Sequence, residues 1–256
     1  MRIAVLEKDG RQSWYALEGD RARRFTSSPF EGGTVESELV AWTAAELRAP
    51  VRPSKIVCIG RNYAAHAKEM GNEVPKEPLM FFKPPSSIIG PRETVILRAE
   101  SDKVEHEGEL AVVIGKRASR VTRDEALSYV LGYTCANDVT ARDLQKKDGQ
   151  WSRAKGFDTF CPIGPWLETD LDPSDLSITC TVDGQLRQNG RTSQMMFDVP
   201  ALVAYVSRAF TLEAGDVILT GTPEGVGPLA PGNKVTVAIE KIGELTVSVA
   251  PPAPLA

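Results

Sequence analysis

The chain has few of the residues that build disulfide frameworks and zinc sites. Its 256 residues include only four cysteines and two histidines. The cysteines are scattered along the chain and form no Cys-x-x-Cys pair: Cys58, Cys135, Cys161 and Cys180. This spacing argues against a zinc site and is typical of reduced, structural thiols in a cytoplasmic protein.

A strong charge of one sign and long apolar runs are also missing. Lysine and arginine number 30 and aspartate and glutamate 34, so the net charge of -4 provides no basic surface for nucleic acid. No apolar run approaches the ~18 residues that a membrane-spanning helix needs. The first ten residues become charged too early for a signal peptide. We therefore expect a globular protein with a sizeable core and with neither nucleic acid nor membrane as a partner.

The first 52 residues are predicted to form a small module. Residues 2–6 and 13–17 have the pattern of a hairpin, and residues 35–47 that of a short helix. Pro50 and Pro53 then end the module. Few residue types suited to catalysis lie in it, so the expected division is a small module over residues 1–52 and a catalytic domain over 53–256.

The catalytic domain is expected to be rich in strands, with a few short helices. Strands are predicted over residues 55–60, 106–115, 131–137, 177–182, 217–220, 234–239 and 244–249. Helices are predicted over residues 63–70, 123–130, 140–147 and 197–209. Asn62 is the expected N-cap of the first helix, and Pro200 lies in the first turn of the last, where proline is tolerated.

Two glutamates in the strand over residues 106–115 are the most informative feature of the sequence. Side chains alternate across a strand, so Glu107 and Glu109 share one face, which Ala111 and Val113 continue. Two like charges beside a buried strand are costly unless a cation lies between them. Oxygen ligands favour Mg²⁺, Mn²⁺ or Ca²⁺ over zinc. The alternative is a strand that begins in solvent, with both glutamates as ordinary surface charges.

Asp138 is the candidate for a third carboxylate. It follows the strand over residues 131–137, and reacting side chains are common where a rigid strand ends. If this strand lies beside the Glu107 strand, three carboxylates converge and can hold an octahedral ion. The alternative is that Asp138 only caps the helix that starts near residue 140.

His66 and Glu69 form the candidate general-base pair. They lie three residues apart and so share one face of the predicted helix, where the carboxylate can orient the imidazole. A histidine oriented in this way is suited to activating water. A solvated surface pair is the alternative.

Cations and amides near these residues suit an anionic, oxygen-rich ligand. Arg142 and Gln145 lie one helical turn apart after Asp138, Lys155 follows, and Arg61 precedes the His66 helix. The glycine-rich segment over residues 221–228 is not a phosphate loop, because no Gly-Lys-Ser/Thr follows and its prolines prevent a helix there. It can still present Thr222 to a ligand from a rigid loop.

The order and the amino-acid sequences of these segments resemble those of the fumarylacetoacetate hydrolase family. The resemblance covers residues 54 to 249. The matching segments are IGRNYAAHAKE (59–69), EGELAVVIG (107–115), GYTCANDVTARD (132–143), KGFDTF (155–160), QNGRTSQMMF (188–197) and LTGTPEGVG (219–227). The branch that it resembles most contains acylpyruvate hydrolases, oxaloacetate decarboxylases and 2-hydroxyhepta-2,4-diene-1,7-dioate isomerases.

The resemblance implies an α+β fold, a layered mixed β-sheet roll with a small N-terminal α/β module, in a homodimer. It implies Mg²⁺ or Mn²⁺, with Ca²⁺ as a further candidate, held by Glu107, Glu109 and Asp138. His66 and Glu69 would be the general-base pair on a lid helix, with Lys155 as a further catalytic residue. Positions that line the substrate site in relatives are matched by Lys155, Arg142, Gln145 and Thr222, and Arg61, which precedes the His66 helix, is a further candidate substrate-binding residue.

The resemblance also implies a reaction. The expected substrates are short 2-oxo acids, whose C3–C4 bond breaks to leave a pyruvate enolate stabilised by the metal and by Lys155. Acylpyruvate hydrolysis and oxaloacetate decarboxylation both follow this course, and an isomerase would use the same site to move a proton. The alternative from another class is a non-catalytic protein that binds a metal and a 2-oxo acid. Such a protein would not need His66, Glu69 and Lys155.

Overall fold

Strands dominate the architecture of the computed structural model, which describes residues 1–252. The strands are β1 (Arg2–Lys8), β2 (Arg11–Glu18), β3 (Arg21–Arg24), β4 (Val40–Ala41), β5 (Leu47–Arg48), β6 (Ile56–Gly60), β7 (Leu79–Lys83), β8 (Ile88–Ile89), β9 (Thr94–Ile96), β10 (Val104–His106), β11 (Gly108–Ile114), β12 (Val130–Asn137), β13 (Thr140–Ala141), β14 (Cys161–Glu168), β15 (Ser177–Val182), β16 (Gln185–Arg191), β17 (Val217–Leu219), β18 (Gly227–Pro228), β19 (Lys234–Ile239) and β20 (Gly243–Ala250). The α-helices are α1 (Ala64–Glu69), α2 (Arg142–Asp148), α3 (Ser152–Gly156) and α4 (Val199–Ala209). Short 3₁₀ helices cover Pro29–Glu31, Ala44–Glu46, Pro85–Ser87, Ala126–Tyr129 and Thr192–Gln194.

The strands form three sheets: the large and the five-stranded sheets contain both parallel and antiparallel pairs, and the three-stranded sheet is antiparallel. The large sheet has 12 strands in the order β4-β3-β2-β1-β14-β12-β11-β17-β6-β7, with β5 paired to β1 and β8 to β14. A five-stranded sheet has the order β16-β15-β19-β20-β9, and a three-stranded sheet the order β13-β10-β18. This arrangement of mixed sheets with few helices confirms the predicted α+β class.

Strand β11 lies at the centre of the fold because both of its faces are buried. Leu110, Val112 and Ile114 join the apolar cluster that includes the five-stranded sheet and α4. Ala111 and Val113 belong to a second cluster on the opposite face. This alternation confirms the predicted face of Ala111 and Val113, and it explains why the strand has a nearly continuous apolar run.

The N-terminal segment extends the large sheet. The predicted hairpin is confirmed as β1 and β2, and β1 pairs with β14, so that Arg2 lies opposite Glu168 and Ile3 opposite Leu167. The helix predicted over residues 35–47 is wrong, because β4 and β5 pair with β3 and β1 and a single 3₁₀ turn lies between them. Strand pairing overrides the helical pattern here. The boundary after residue 52 stays a prediction.

Two other local predictions need correction. The helix predicted over residues 123–130 is a 3₁₀ helix at Ala126–Tyr129, because Val130 already pairs with Ile114 at the start of β12. Asn62 does not cap α1, whose N-cap is Tyr63. The Asn62 amide instead donates to the carbonyls of Phe197 (2.9 Å) and Thr220 (2.8 Å).

The helix at residues 197–209 is confirmed with slightly shorter bounds. Helix α4 begins after Asp198, whose carboxylate accepts a hydrogen bond from Ala201 N at 3.0 Å. Pro200 lies in the first turn, where its missing N–H leaves no hydrogen bond unmade. The apolar face of α4, with Leu202, Val203 and Val206, packs into the main cluster.

Asp216 fastens the beginning of β6 to the beginning of β17. It is fully buried, and its Oδ1 accepts hydrogen bonds from Ser54 N (2.9 Å) and Lys55 N (3.1 Å), while its Oδ2 accepts one from Glu213 N (2.7 Å). The Lys55 ammonium supplies the opposite charge at 2.5 Å. Removal of this carboxylate would leave three partly buried backbone N–H groups without their hydrogen-bond partner.

We therefore expect Asp216→Ala to lower the free energy of unfolding by about 2 kcal/mol, because three backbone N–H groups and the Lys55 ammonium lose the carboxylate that they contact. Urea denaturation followed by tryptophan fluorescence measures this change. Asp124→Ala is the matched control, since Asp124 is exposed, and it should change stability by less than about 0.5 kcal/mol. Equal stability of the two variants would contradict the anchoring role.

Candidate active site

The site forms where two strands of different sheets diverge. Glu107 lies between β10, which joins the three-stranded sheet, and β11, which continues in the large sheet. Its backbone is fixed on both sides: Glu107 N donates to the Asn137 side chain at 2.9 Å, and Glu107 O accepts from Asp138 N at 2.8 Å. Because β11 and β12 are neighbours, this junction places Asp138 beside the glutamates.

Three buried carboxylates converge at this junction. Glu107, Glu109 and Asp138 are 4%, 2% and 1% exposed, and each offers one oxygen within 4.8 Å of the others. Carboxylates this close and this shielded from water repel each other strongly. The alternative in which the glutamates are ordinary surface charges is therefore wrong.

Two lysines neutralise two of these carboxylates. Lys155, on α3, donates to Glu107 Oε2 and Asp138 Oδ2, each at 2.7 Å. Lys83, at the end of β7, donates to Asp138 Oδ1 at 2.6 Å and to the Val139 carbonyl at 3.2 Å. Both lysines are almost fully buried. Burial lowers the pKa of Lys155, but Asp138 and Glu107 outweigh it and hold that pKa above its ordinary value.

Arg142 bridges a further carboxylate to the cluster. Its Nε donates to Glu105 Oε2 at 2.7 Å, and one terminal nitrogen donates to Glu107. The other terminal nitrogen donates to Gln145 Oε1 at 2.7 Å, which leaves the Gln145 N–H groups for a ligand. Burial raises the pKa of Glu107, yet the charges of Lys155 and Arg142 outweigh it and keep that pKa well below its ordinary value.

Glu109 is the carboxylate without a cation. Its one hydrogen bond within residues 1–252 comes from Gly221 N at 2.8 Å. Burial, Asp138 and Glu107 together raise its pKa well above the ordinary value. An uncompensated buried oxygen beside two others is what a hard divalent cation satisfies, so these residues fit such an ion.

The predicted base pair faces the same cavity. His66 is 5% exposed on α1, and its Nδ1 lies 3.1 Å from Glu69 Oε2. Because a carboxylate only accepts, Nδ1 is the donor of this hydrogen bond, and in a neutral imidazole the lone pair is then on Nε2. The other Glu69 oxygen accepts from Gly225 N at 2.9 Å, so the loop after β17 holds the carboxylate in place.

A buried hydrogen-bond network fixes Thr222. Gly108 N donates to Gln188 Oε1 at 2.9 Å and Pro223 O accepts from Gln188 Nε2 at 2.8 Å, so these backbone groups determine the orientation of the amide. Gln188 Nε2 also donates to the Thr222 hydroxyl, which in turn donates to Gly108 O at 2.8 Å. His106 Nδ1 completes the network by donating to Gln188 Oε1 at 3.0 Å, and burial lowers the pKa of this imidazole.

The structure brings the predicted residues together. Nine of the ten line one cavity: Arg61, His66, Glu107, Glu109, Asp138, Arg142, Gln145, Lys155 and Thr222. Glu69, the tenth, stands behind His66 and reaches the cavity only through it. Their roles in chemistry stay predictions.

Sequence reasoning missed several residues of the site. Phe81 and Trp151 line the cavity, and Lys83 and Glu105 balance its charges. A lysine that ends an apolar strand before two prolines, as Lys83 does, was the available signal for burial. Nothing in the local pattern marks Glu105 or Trp151.

Comparison with known proteins assigns the chain to a family. The family model described as fumarylacetoacetate (FAA) hydrolase C-terminal matches residues 55–250. The mitochondrial oxaloacetate decarboxylase of Dictyostelium discoideum is 49% identical over 195 residues, which are 72% of this chain and 88% of that protein.

Two solved structures extend the comparison. The 2-hydroxyhepta-2,4-diene-1,7-dioate isomerase of Mycobacterium marinum is 42% identical with a TM-score of 0.91, covering 99% of this chain and 100% of that one. The fumarylpyruvate hydrolase of Pseudomonas aeruginosa, in complex with Mn²⁺ and pyruvate, is 36% identical with a TM-score of 0.74, covering 79% and 91%. The fold, the carboxylate site and these matches agree: the chain is an enzyme that belongs to the fumarylacetoacetate hydrolase family.

Proposed function

We propose that this enzyme cleaves the C3–C4 bond of short 2-oxo acids that carry a second carbonyl or carboxyl group at C4, and that it depends on Mg²⁺ or Mn²⁺. One observation carries the proposal: the buried Glu107–Glu109–Asp138 cluster and the His66–Glu69 pair face the same cavity. The first suits a metal and the second suits proton transfer. The Pseudomonas aeruginosa relative, which holds Mn²⁺ and pyruvate, supports the same pairing of ion and 2-oxo acid.

Glu107, Glu109 and Asp138 would hold the ion. When bound, it supplies Lewis-acid polarisation of the substrate's carbonyl oxygen. Glu109 is the natural principal ligand, because no cation of residues 1–252 contacts its carboxylate. Lys155 donates to both Glu107 and Asp138, Lys83 donates to Asp138, and these charged hydrogen bonds fix the direction of the two carboxylates.

His66 would act as the general base in acylpyruvate hydrolysis. Its free Nε2 takes a proton from water as the water oxygen bonds to the C4 carbonyl carbon. The C3–C4 bond then breaks, its electron pair passes to the pyruvate enolate, and C4 leaves as a carboxylic acid. Proton return from the imidazolium to C3 gives pyruvate and restores His66.

Lys155 would stabilise the charge that develops on the enolate oxygen. Two of its three N–H groups are occupied by Glu107 and Asp138, so one remains for the ligand. In the buried cavity this charged hydrogen bond strengthens as the enolate forms. Gln145, held by Arg142, offers its N–H groups to the substrate carboxylate.

Acylpyruvate hydrolysis is one of three related activities that this site could carry out. Oxaloacetate decarboxylation forms the same enolate as CO₂ leaves, without an attacking water. A 2-hydroxyhepta-2,4-diene-1,7-dioate isomerase is the second candidate, which the Mycobacterium marinum relative favours. A non-catalytic binder of metal and 2-oxo acid is the rival from another class, and the ordered His66–Glu69 pair speaks against it.

The assembly and cellular location are proposals of a different kind. We expect a homodimer, which analytical ultracentrifugation tests, and a cytoplasmic location, in keeping with four buried free cysteines. Within residues 1–252, no helix has the length and apolar character to span a membrane.

Glu109→Gln should abolish the stabilising effect of Mg²⁺ or Mn²⁺. The variant amide can still accept the Gly221 N–H, so the fold is preserved, but it removes the carboxylate that lacks a cation. We expect metal affinity measured by calorimetry to fall about a hundredfold or more, and the metal-induced rise in melting temperature to disappear. Glu100→Gln, at an exposed position, is the matched control. An unchanged metal affinity of Glu109→Gln would contradict the proposed metal site.

His66→Ala should separate the two cleavage reactions. Loss of the base should lower acetylpyruvate hydrolysis by about 10²- to 10⁴-fold, whereas oxaloacetate decarboxylation, which needs no attacking water, should fall by less than about tenfold. Pyruvate release, coupled to lactate dehydrogenase, measures both. Equal losses in the two reactions would argue against water activation. Oxalate binding by the wild-type protein without any pyruvate release would instead favour the non-catalytic binder.

A further inference from the structure

One wall of the cavity is a row of two aromatic rings with a cation at each end. Lys155 Nζ lies 5.0 Å from the centre of the Phe81 ring, and the Phe81 and Trp151 rings are 5.1 Å apart, edge to face. The Arg61 guanidinium carbon lies 5.8 Å from the centre of the Trp151 ring. Two rings therefore separate the buried Lys155 from Arg61, which is half-buried at the outer end.

The backbone is shaped to allow this placement. A Cβ at Gly60 would lie 2.8 Å from Trp151 Cζ3, so only glycine lets the indole approach here. Arg61 itself has φ +58°, a left-handed conformation that costs an arginine free energy. A strained backbone conformation that places Arg61 against a ring of the cavity wall points to a functional role for this residue.

The two ends of the cavity differ in how their charges are matched. At the inner end, Lys155 and Arg142 are each paired with carboxylates. At the outer end, Arg61 and Lys146 both line the cavity, and neither forms an ion pair with any carboxylate of residues 1–252. The acidic residues of the cavity lining are the three of the inner cluster. The outer end is thus positive with no acid beside it.

Helix α2 carries one cation to each end. Arg142 and Lys146 lie four residues apart, so they share one helix face on successive turns, with the buried arginine inside and the exposed lysine outside. Lys147, the next residue, lies off this face and does not line the cavity in the described part of the chain.

We propose that Arg61 and Lys146 form a subsite for a second carboxylate at the far end of the substrate, a specificity determinant that rests on the function proposed above. The substrate's 2-oxo acid end lies at the carboxylate cluster, its spacer lies along Phe81 and Trp151, and its distal carboxylate meets the two cations. A flat or apolar spacer matches the aromatic wall. A neutral tail would leave the Arg61 donors facing water and would gain nothing from Lys146.

Two unreactive probes that differ only in the distal group test the subsite. N-oxalyl-β-alanine has the 2-oxo acid end and a distal carboxylate, and N-propyl oxamate has the same end with an uncharged tail. In calorimetry with Mg²⁺ present, the wild-type protein should bind the first about ten- to a hundredfold more tightly, the range for hydrogen bonds to charged groups. Arg61→Gln and Lys146→Gln should each reduce this preference severalfold, and the double variant should abolish it.

Control variants distinguish the loss of charge at the subsite from misfolding and from damage to the inner end of the cavity. Lys147→Gln should keep the full preference, Arg61→Lys should keep part of it, and affinity for N-propyl oxamate should stay within about twofold in all variants. An equal affinity of the two probes for the wild-type protein, or a preference that survives in the double variant, would overturn the subsite and leave the proposed function standing. If oxamate itself and both probes fail to bind, the proposed function falls and the subsite falls with it.

Discussion

The cost of burying like charges together is the constraint on which this structure depends. An ionised side chain in the interior costs several kcal/mol unless an opposite charge meets it. Here four buried carboxylates face three buried cations at the junction of β10 and β11: Glu105, Glu107, Glu109 and Asp138 against Lys83, Arg142 and Lys155. Glu109 is the carboxylate that no cation of residues 1–252 contacts, and burial together with Asp138 and Glu107 raises its pKa well above the ordinary value. A divalent cation beside Glu109 would supply the positive charge that this carboxylate lacks.

The fold meets this constraint by bringing distant segments to one strand. Lys83 comes from β7 at the edge of the large sheet, and Arg142 and Lys155 from α2 and α3. Both faces of β11 are packed, so the residues that follow Glu109 alternate between two apolar clusters and hold the strand rigid. Buried amides then lock the surrounding loops: Asn62 joins Phe197 to Thr220, and Gln188 joins Gly108 to Thr222. A site of this rigidity can position a proton donor or acceptor without reorganising during the reaction.

The two ends of the cavity differ in how their cations are paired. At the inner end, every cation is paired with a carboxylate, so the charges of these cations hold the carboxylates in position. At the outer end, Arg61 and Lys146 have no carboxylate partner within residues 1–252, so their charge is available to a ligand. Chemistry common to several 2-oxo acids would take place at the first end, and choice among those acids at the second. Relatives named as decarboxylase, isomerase and hydrolase are in keeping with such a division.

Local sequence patterns were enough to predict several features of the site, and contacts between residues distant in sequence determined the features that were missed or predicted wrongly. Strand alternation by itself placed Glu107 and Glu109 on one face, and helical spacing paired His66 with Glu69, because these relations depend only on neighbours along the chain. Asp138 could be named as a third carboxylate only on the condition that its strand lies beside the Glu107 strand, or from the family resemblance, and the pairing of β11 with β12 meets that condition. The helix expected over residues 35–47 failed because pairing with β1 and β3, far away in sequence, outweighed its local preference. The same reason explains why Lys83, Glu105 and Trp151 were missed and why Asn62 was taken for a cap: each acts on a residue more than thirty positions away. Short segments of the sequence thus indicated the kind of chemistry. The charge balance, the aromatic wall and the two ends of the cavity depend on the assembled sheets, because each is formed by residues from segments that are far apart in the sequence.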